Sequence, residues 1–319
     1  MSEFYELETF CMGTVISQRI YGEKSEIAAI KVEEEMKRLE SLMSFFLESS
    51  EISRLNRAAG KQAVELGCES LYVLNRAKYF SEICKGTFDI TIGPVAKLWG
   101  IFTDHAKVPS EEEINEALSL TGYTDITIDN GLGTVKLEKA GESVDLGAIA
   151  KGYTADRAIE IYKQQGIESA FINLGGNVMV LGNKPDGSPW KIGIQNPLHE
   201  RGQCLGVVNA VDKTIVTSGD YVRYFEKDNI KYHHILDPRT GYPADSGLMS
   251  TTIVSEKSIG ADALSTAIFI LGLQEGMELI NSIKDMEAIF VTKDKKIYVT
   301  EGLQKDFILF EGTEFLISY

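Results

Sequence analysis

The sequence predicts an α+β fold with mixed, largely antiparallel sheets and packed helices. Helical patterns dominate up to about residue 165, whereas residues 169–236 form short, glycine-punctuated segments that are typical of hairpin-linked strands. Runs of strands with helices grouped around them indicate α+β rather than alternating β-α-β units. The 319 residues, 44% of them hydrophobic, can bury a sizeable core, and no repeat or linker divides the chain.

Amphipathic periodicity and capping residues predict the helices. We expect Ser49 to cap a short helix that ends at Gly60, and Gly86 to close the helix after it. Ser110, with Glu113 three residues later, forms a capping box ahead of a further helix. The other predicted helices cover residues 25–43, 51–59, 69–84, 149–165 and 258–272, and one more precedes the terminal strands.

Alternating apolar and polar residues, bounded by glycine-containing turns, predict the strands. The first is expected at residues 13–21. The others are expected at residues 125–128, 134–138, 170–176, 177–182, 190–195, 206–211, 214–219, 221–226 and 231–236.

The charge excludes one class of partner. The net charge is -15 and the pI is about 4.8. Binding to nucleic acid requires clustered Lys and Arg that neutralise phosphates, so we expect no nucleic-acid partner. A local pocket for one small anionic ligand remains compatible with this composition.

The cysteine content, the hydropathy and the N-terminal sequence indicate the cellular compartment in which the protein is expected. The four cysteines form no CxxC pair, so neither a zinc site nor a thioredoxin-type motif is indicated, and we expect them to stay reduced. No window of 18 uncharged apolar residues exists, so no transmembrane span is expected. The acidic N-terminus has no apolar run of signal length, which favours a cytoplasmic protein as written. An exported form or a lipoprotein stays open if a leader was removed.

The stretch VDLGAIAKGYTAD, residues 144–156, predicts an anion site where a strand leads into a helix. A helix N-terminus offers N–H groups and the positive end of the dipole. Gly147 and Ala148 leave the backbone accessible, and Lys151 adds a mobile positive charge. The alternative is a simple glycine turn followed by a solvated lysine.

The stretch ADALSTA, residues 261–267, predicts a site for a hard cation. On a helix, Asp262, Ser265 and Thr266 lie at positions i, i+3 and i+4, so three oxygen-bearing side chains share one face. One carboxylate with hydroxyls suits Mg²⁺, which prefers oxygen ligands and keeps waters or substrate phosphates. The alternative is a capping Asp followed by hydroxyls that bond back to helix carbonyls.

Two adjacent histidines, His233 and His234, lie at the end of a predicted strand, so their rings point to opposite faces. One ring can face a pocket and act as a general base, because histidine titrates near neutral pH. A purely structural role is the alternative.

The stretch GTFDITIGPVAKLWG, residues 86–100, suggests a flat apolar slot for a ring system, lined by Phe88 and Trp99. The pair Gly175 and Gly176 allows close backbone approach, although such a pair is more often only a tight turn.

Taken in order, the motifs MGT, SEISRLN, FDITIGPVAKLWG, DLGAIAKGYTAD, NLGGN, TSGDY, HHILDPRTG and ADALSTAIFILG resemble the ApbE family of flavin transferases. The resemblance runs from Met12 to about residue 300. It implies a single ApbE-like domain over residues 1–319, with two subdomains flanking an FAD cleft. It also implies a Mg²⁺-dependent FAD:protein FMN transferase, which cleaves FAD, releases AMP and attaches FMN to a Ser or Thr of an acceptor flavoprotein.

The resemblance also assigns residues. It implies a metal site at Asp262, Thr266 and the Ala148 carbonyl, with Ser265 as a further contact. It implies a catalytic role for His234 rather than His233. The implied flavin-binding positions are Met12, Phe46, Thr87, Phe88, Asp89, Asp145, Lys151 and Ile235.

Two departures from the family pattern stand out. Phe46 lies where many relatives have tyrosine, so stacking is kept and a hydroxyl contact is lost. Family members are usually exported, yet neither a signal sequence nor a lipobox is visible here.

Several alternatives stay open from the sequence. The proton of the acceptor hydroxyl is accepted either by His234 or by a carboxylate near the metal. A Mg²⁺-dependent FAD pyrophosphatase, which gives FMN and AMP, would use the same site. A non-catalytic FAD-binding carrier is a different class, and the retained Asp262, Thr266 and Lys151 favour an enzyme.

Overall fold

The computed structural model describes residues 3–101 and 103–318. Within them lie eight α-helices: α1 (Ser25–Met43), α2 (Glu51–Arg57), α3 (Cys68–Ile83), α4 (Gly93–Trp99), α5 (Glu111–Ser119), α6 (Ala150–Gln164), α7 (Ser258–Leu271) and α8 (Leu273–Ser282). None of the helices in this part of the chain combines the length and the apolar character needed to cross a membrane.

Nine strands form one large sheet: β1 (Phe4–Cys11), β2 (Thr14–Tyr21), β6 (Ser169–Leu174), β7 (Asn177–Leu181), β10 (Thr214–Gly219), β13 (Leu248–Ser255), β14 (Met286–Thr292), β15 (Lys296–Val299) and β17 (Leu316–Ser318). They are hydrogen-bonded in that order, and only the last pair is parallel.

The remaining strands form three smaller antiparallel sheets: β3 (Val64–Glu65), β5 (Thr134–Leu137) and β4 (Ile126–Asp129); β16 (Phe307–Leu309), β9 (Cys204–Ala210) and β8 (Trp190–Gln195); and the hairpin β11 (Tyr224–Lys227) and β12 (Ile230–His233). The predicted mixed, largely antiparallel α+β fold is therefore confirmed. The division into two subdomains around an FAD cleft stays a prediction.

Helices α6 and α7 pack against each other beside the large sheet, with α7 in contact with β10 and β13. Gly152 of α6 lies at their crossing. A Cβ atom there would come within 2.4 Å of the Ser258 carbonyl oxygen and 2.8 Å of the Ile259 Cα atom. These are backbone atoms that cannot swing away, so only glycine allows the two helices to approach this closely.

A carboxylate of α6 caps the N-terminus of α7. The Asp156 side chain accepts hydrogen bonds from the backbone N–H groups of Ser258 (2.9 Å) and Ile259 (3.0 Å), and it is buried. These N–H groups have no partner within their own helix. The cap therefore comes from a neighbouring helix, which locks the relative position of α6 and α7.

Most predicted elements are found within a few residues of their expected bounds, and the capping box of Ser110 and Glu113 is present. The cap of α2 is different: Ser50, not Ser49, accepts the Ser53 N–H at 2.9 Å. Ser50 is buried and also donates to the Ser44 carbonyl, whereas Ser49 is exposed. Two neighbouring serines have equal capping ability, so the tertiary contact decides between them.

Four of the helices and strands were not predicted: β1, β3, β13 and α4. Strand β1 follows from the alternation of Tyr5, Leu7 and Thr9 with outward-facing residues, a signal that the acidic composition of the N-terminus obscured. Helix α4, which Pro94 starts and Gly100 ends with φ +63°, occupies the second half of the segment expected to form an aromatic slot.

We expect Asp156→Ala to lower the free energy of unfolding by about 2–3 kcal/mol, because two buried N–H donors lose their acceptor. Asp129→Ala is the matched control. Asp129 also accepts two backbone N–H groups, those of Gly131 and Leu132, but it is exposed in a turn, so we expect a loss below about 1 kcal/mol. Denaturant unfolding of both variants measures the difference, and equal losses would contradict this account of the cap.

Candidate active site

The crossing of α6 and α7 positions one carboxylate. Asp262 lies in the second turn of α7 and is buried, and its Oδ2 accepts the Gly152 N–H at 2.8 Å. Gly152 lies in the first turn of α6, whose N–H groups have no acceptor within the helix, so Asp262 supplies that acceptor. Ala148 precedes Ile149, the N-cap residue of α6, and no backbone N–H of the described residues donates to the Ala148 carbonyl.

Lys151 lies beside this carboxylate. Its Nζ donates to the Gly147 carbonyl at 2.6 Å and is 4.0 Å from Asp262 Oδ1. Burial raises the pKa of Asp262, while the Lys151 charge and the Gly152 hydrogen bond act in the opposite direction. The ammonium is too distant for a close ion pair, so the Asp262 carboxylate has spare capacity to bind a cation.

Three hydroxyls lie next to one another on α7 and the adjacent strand β10. Ser265 Oγ is 2.9 Å from Ser218 Oγ, and Thr266 Oγ1 is 3.4 Å from the same atom. The expected back-bond also occurs, because Ser265 Oγ donates to the Asp262 carbonyl at 2.9 Å. Ser218 was missed by the site assignment, although it lies within the motif TSGDY.

Asn177, the last residue of the motif NLGGN, is a second missed neighbour. Its Oδ1 accepts from Ser258 Oγ at 2.8 Å, and its amide acts to lower the pKa of Asp262. The amide nitrogen of Asn177 is buried. It donates no hydrogen bond of normal geometry to any acceptor in the described part of the chain. The Asn177 amide therefore complements a negatively charged Asp262 within the core.

The Asp262 carboxylate and the neighbouring hydroxyl and carbonyl oxygens suit a hard cation. Among the described residues no group of three or more His, Cys, Asp or Glu side chains is arranged to hold a metal ion. A cation at this point would bind one carboxylate, that of Asp262, together with hydroxyl and carbonyl oxygens, and would retain sites for a ligand's phosphates. The buried Asp262 and the Ala148 carbonyl, which accepts no backbone hydrogen bond among the described residues, are consistent with such a site.

The two histidines face different environments, as predicted. His233 is buried, its Nε2 donates to the Ala244 carbonyl at 3.0 Å, and its Nδ1 accepts the Ile235 N–H at 3.3 Å. Its ring also packs edge-on against Phe269. Both ring nitrogens of His233 are engaged in the core, so this residue is structural.

His234 faces the other side, towards Lys151 and Arg223. Its Nδ1 lies 3.2 Å from the Arg223 carbonyl oxygen, which can only accept, so Nδ1 carries the proton and Nε2 is the basic nitrogen. Burial lowers the pKa of His234 to about 4, and the charges of Arg223 and Lys151 add to this shift. The ring is therefore neutral at neutral pH.

The other predicted flavin positions lie in diverse surroundings. Met12 occupies the turn between β1 and β2, and Phe46 is 69% exposed in the loop before α2. Asp145 is half-buried and accepts the Gly147 N–H at 2.8 Å, and burial raises its pKa. Ile235 is buried next to the histidines. Asp145 and Lys151 thus both contact Gly147, which places them together at the start of α6.

The segment Thr87, Phe88 and Asp89 is held by its own loop. Thr87 Oγ1 donates to the Cys84 carbonyl at 2.9 Å. Asp89 accepts hydrogen bonds from Thr91 and from the Tyr123 N–H, and burial raises its pKa. The structure therefore shows a loop-stabilising role for both polar side chains.

The predicted aromatic slot is wrong. Phe88 and Trp99 are both buried, and they belong to different hydrophobic clusters. The Trp99 Nε1 donates to the Gly241 carbonyl at 2.7 Å. The aromatic and glycine pattern that suggested a ring-binding slot is explained by core packing around α4.

Comparison with known proteins shows the family of this chain. A sequence model of the ApbE family matches residues 12–290. The chain is 36% identical to an FAD:protein FMN transferase of Klebsiella pneumoniae over 93% of this chain and 92% of that protein. It is 33% identical to the enzyme of the same name from Treponema pallidum over 94% and 87% of the two chains.

Solved structures show the same fold. The crystal structure of the ApbE protein from Thermotoga maritima has a TM-score of 0.88, with 35% identity over 95% of this chain and 99% of that one. The flavin transferase ApbE from Vibrio cholerae has a TM-score of 0.86, with 27% identity over 96% and 100% of the two chains. The family match over most of its length shows that this chain belongs to the ApbE family.

Proposed function

We propose that this protein transfers FMN from FAD to a Ser or Thr hydroxyl of an acceptor flavoprotein, with Mg²⁺ as cofactor and AMP as the released product. One observation carries the proposal: the buried Asp262 carboxylate is fixed at the α6–α7 crossing, beside Lys151 and a group of hydroxyls. The name FAD:protein FMN transferase, shared by the Klebsiella and Treponema relatives, supports the same reaction.

The reaction is a phosphoryl-type transfer. The acceptor oxygen attacks the phosphorus on the FMN side of the pyrophosphate, the bond to the bridging oxygen breaks, and AMP leaves with that oxygen. The protein's tasks are to align the two reactants and to neutralise negative charge. Lys151, whose ammonium lies near the start of α6, supplies positive charge to the pyrophosphate.

A magnesium ion would be held by Asp262, Thr266 and the Ala148 carbonyl, with Ser265 and Ser218 adjoining. When bound, it would supply charge neutralisation to the pyrophosphate. The chain's own contribution is geometric: the Gly152 N–H orients the Asp262 carboxylate, and Asn177 supports it from the core.

His234 is the group we assign to accept the acceptor's proton. Its Nδ1–H is held by the Arg223 carbonyl, so in the neutral ring Nε2 carries the basic lone pair. The proton of the hydroxyl would move to Nε2 as the new P–O bond forms.

Asp262→Asn tests the role of charge at the site. The amide oxygen can still accept the Gly152 N–H, so the fold should persist, while transfer should fall by roughly 10²–10³-fold because transition-state charge is less well neutralised. EDTA should abolish transfer by the wild-type protein. The control is Asp129→Asn, a carboxylate that also accepts backbone N–H groups but lies in β4 outside the site, which we expect to keep the transfer rate. Wild-type transfer by Asp262→Asn would contradict the metal assignment.

His234→Gln should reduce transfer by roughly 10²–10⁴-fold with little change in FAD affinity, as expected for loss of a general base. His199→Gln is the control, since His199 is exposed and pairs with Glu314. Single-turnover rates and calorimetry separate chemistry from binding. His233 is unsuitable as a control, because its ring is hydrogen-bonded in the core.

The pH dependence follows from the low pKa of His234. Protonation removes the base, so kcat/KM should stay level from neutral pH down to about 5 and then fall as the pH drops through about 4. Stopped transfer assays across this range, with a parallel check of folding, measure the profile. A fall centred near pH 6.5 would show that His234 is not in the neutral, buried state described above.

A last experiment distinguishes three possible functions of this protein: FMN transferase, FAD pyrophosphatase and non-catalytic FAD carrier. The protein is incubated with FAD and Mg²⁺, with and without a candidate flavoprotein acceptor. A transferase releases AMP mainly when acceptor is present, because a bound hydroxyl has a large effective molarity over water, and the acceptor gains flavin fluorescence that survives denaturing electrophoresis. AMP release at full rate without acceptor would indicate a pyrophosphatase, and no AMP release with several acceptors would indicate a carrier.

A further inference from the structure

The turn between β1 and β2 is conformationally demanding. Met12 and Gly13 both have positive φ, +53° and +70°. A non-glycine residue is uncommon in this left-handed region and persists where its surroundings hold it there. Such residues concentrate at functional sites, so the contacts that hold Met12 are informative.

Glu40, near the C-terminus of α1, binds the residues with which this turn begins. Its Oε1 accepts the Met12 N–H at 2.8 Å, and its Oε2 accepts from Cys11 Sγ at 3.2 Å. One carboxylate thus binds two consecutive residues, and its two oxygens fix both the position and the direction of the chain as it enters the turn.

The other side of the turn is bound to the histidine segment. The Gly13 carbonyl accepts from Arg223 Nη2 at 3.0 Å. The carbonyl of Arg223 in turn accepts both the backbone N–H (3.1 Å) and the Nδ1–H (3.2 Å) of His234. A series of contacts therefore runs from α1 through the turn to the imidazole, and the Arg223 side chain joins the hydrogen bond to Gly13 with the hydrogen bonds to His234.

We propose that Glu40 is a positioning residue for the transfer reaction: it holds the Met12–Gly13 turn in place and, through Arg223, orients the His234 ring and fixes its tautomer. The inference rests on the proposed function, in which His234 accepts the proton. Glu40 itself reaches neither the metal site nor the base, and it acts only through the turn.

The chain offers a matched control on the same helix. Glu33 lies two turns before Glu40, and its Oε1 accepts from Thr9 Oγ1 at 3.1 Å. It therefore ties α1 to the same strand, β1, but at a position that does not reach the turn. If these carboxylates only attach the helix to the strand, removing either one should have the same consequence.

The kinetic experiment compares Glu40→Ala, Glu40→Gln and Glu33→Ala. We expect Glu40→Ala to lower kcat by roughly 10–100-fold, since small displacements of a catalytic group have effects of this size. Glu40→Gln should stay within about fivefold of wild type, because its amide oxygen can still accept the Met12 N–H. Glu33→Ala should transfer normally. Equal losses in Glu40→Ala and Glu33→Ala, or no rescue by Glu40→Gln, would overturn the proposal.

A second readout does not depend on transfer. Long-range ¹H–¹⁵N NMR of the histidine rings reports the tautomer of each, with His234 assigned by the missing signal in His234→Gln. Wild type and Glu33→Ala should show the Nδ1–H form of His234, and Glu40→Ala a mixture of tautomers. An unchanged tautomer in Glu40→Ala would refute the proposal. If the wild-type protein shows no transfer with any acceptor, the proposed function is wrong. The NMR measurement still shows in that case whether Glu40 controls the tautomer of His234.

The link through Arg223 is tested by a double variant. If Glu40 and Arg223 act on His234 through the same turn, the loss in Glu40→Ala/Arg223→Ala should not exceed the larger single loss by much. If the two single losses in kcat instead multiply in the double variant, Glu40 and Arg223 act independently, which would contradict the series of contacts.

Discussion

The site depends on one close contact between two helices. Because Gly152 has no side chain, α6 and α7 approach until the Gly152 N–H reaches Asp262 Oδ2 at 2.8 Å. This single hydrogen bond orients the carboxylate and gives the Gly152 N–H, in the first turn of α6, its acceptor. The cap that Asp156 provides to α7 holds the same crossing from the next turn of α6. The geometry of the oxygen cluster is thus a consequence of helix packing.

The electrostatics of this crossing favour a bound cation. A buried carboxylate with few partners is unfavourable in its charged form, and burial accordingly raises the pKa of Asp262. The nearest ammonium, that of Lys151, remains 4.0 Å away and donates to a backbone carbonyl. A divalent cation brought with a pyrophosphate would satisfy Asp262 and leave Lys151 to bind phosphate oxygens, which agrees with the proposed chemistry.

Two adjacent histidines have opposite functions for a simple geometric reason. Consecutive side chains of a strand point to opposite faces, so one ring enters the core and the other faces the site. His233 has a fixed tautomer because it bonds to two backbone groups, whereas Nδ1 of His234 bonds to the Arg223 carbonyl. This makes the position of the segment containing Arg223 important for the proposed base.

The sequence by itself determined the fold class, most helices and strands, and the motifs whose residues meet at the α6–α7 crossing. These features depend on local periodicity, capping and residue order, which a sequence displays directly. It did not reveal Ser218, Asn177, Glu40 or the burial of Phe88 and Trp99, since those depend on contacts between segments far apart in the chain. Likewise, only the tertiary structure decided that Ser50 rather than Ser49 caps α2, and that the His233 ring rather than the half-buried His234 ring enters the core. In each case local propensities were equal, and packing against a distant element supplied the difference in free energy.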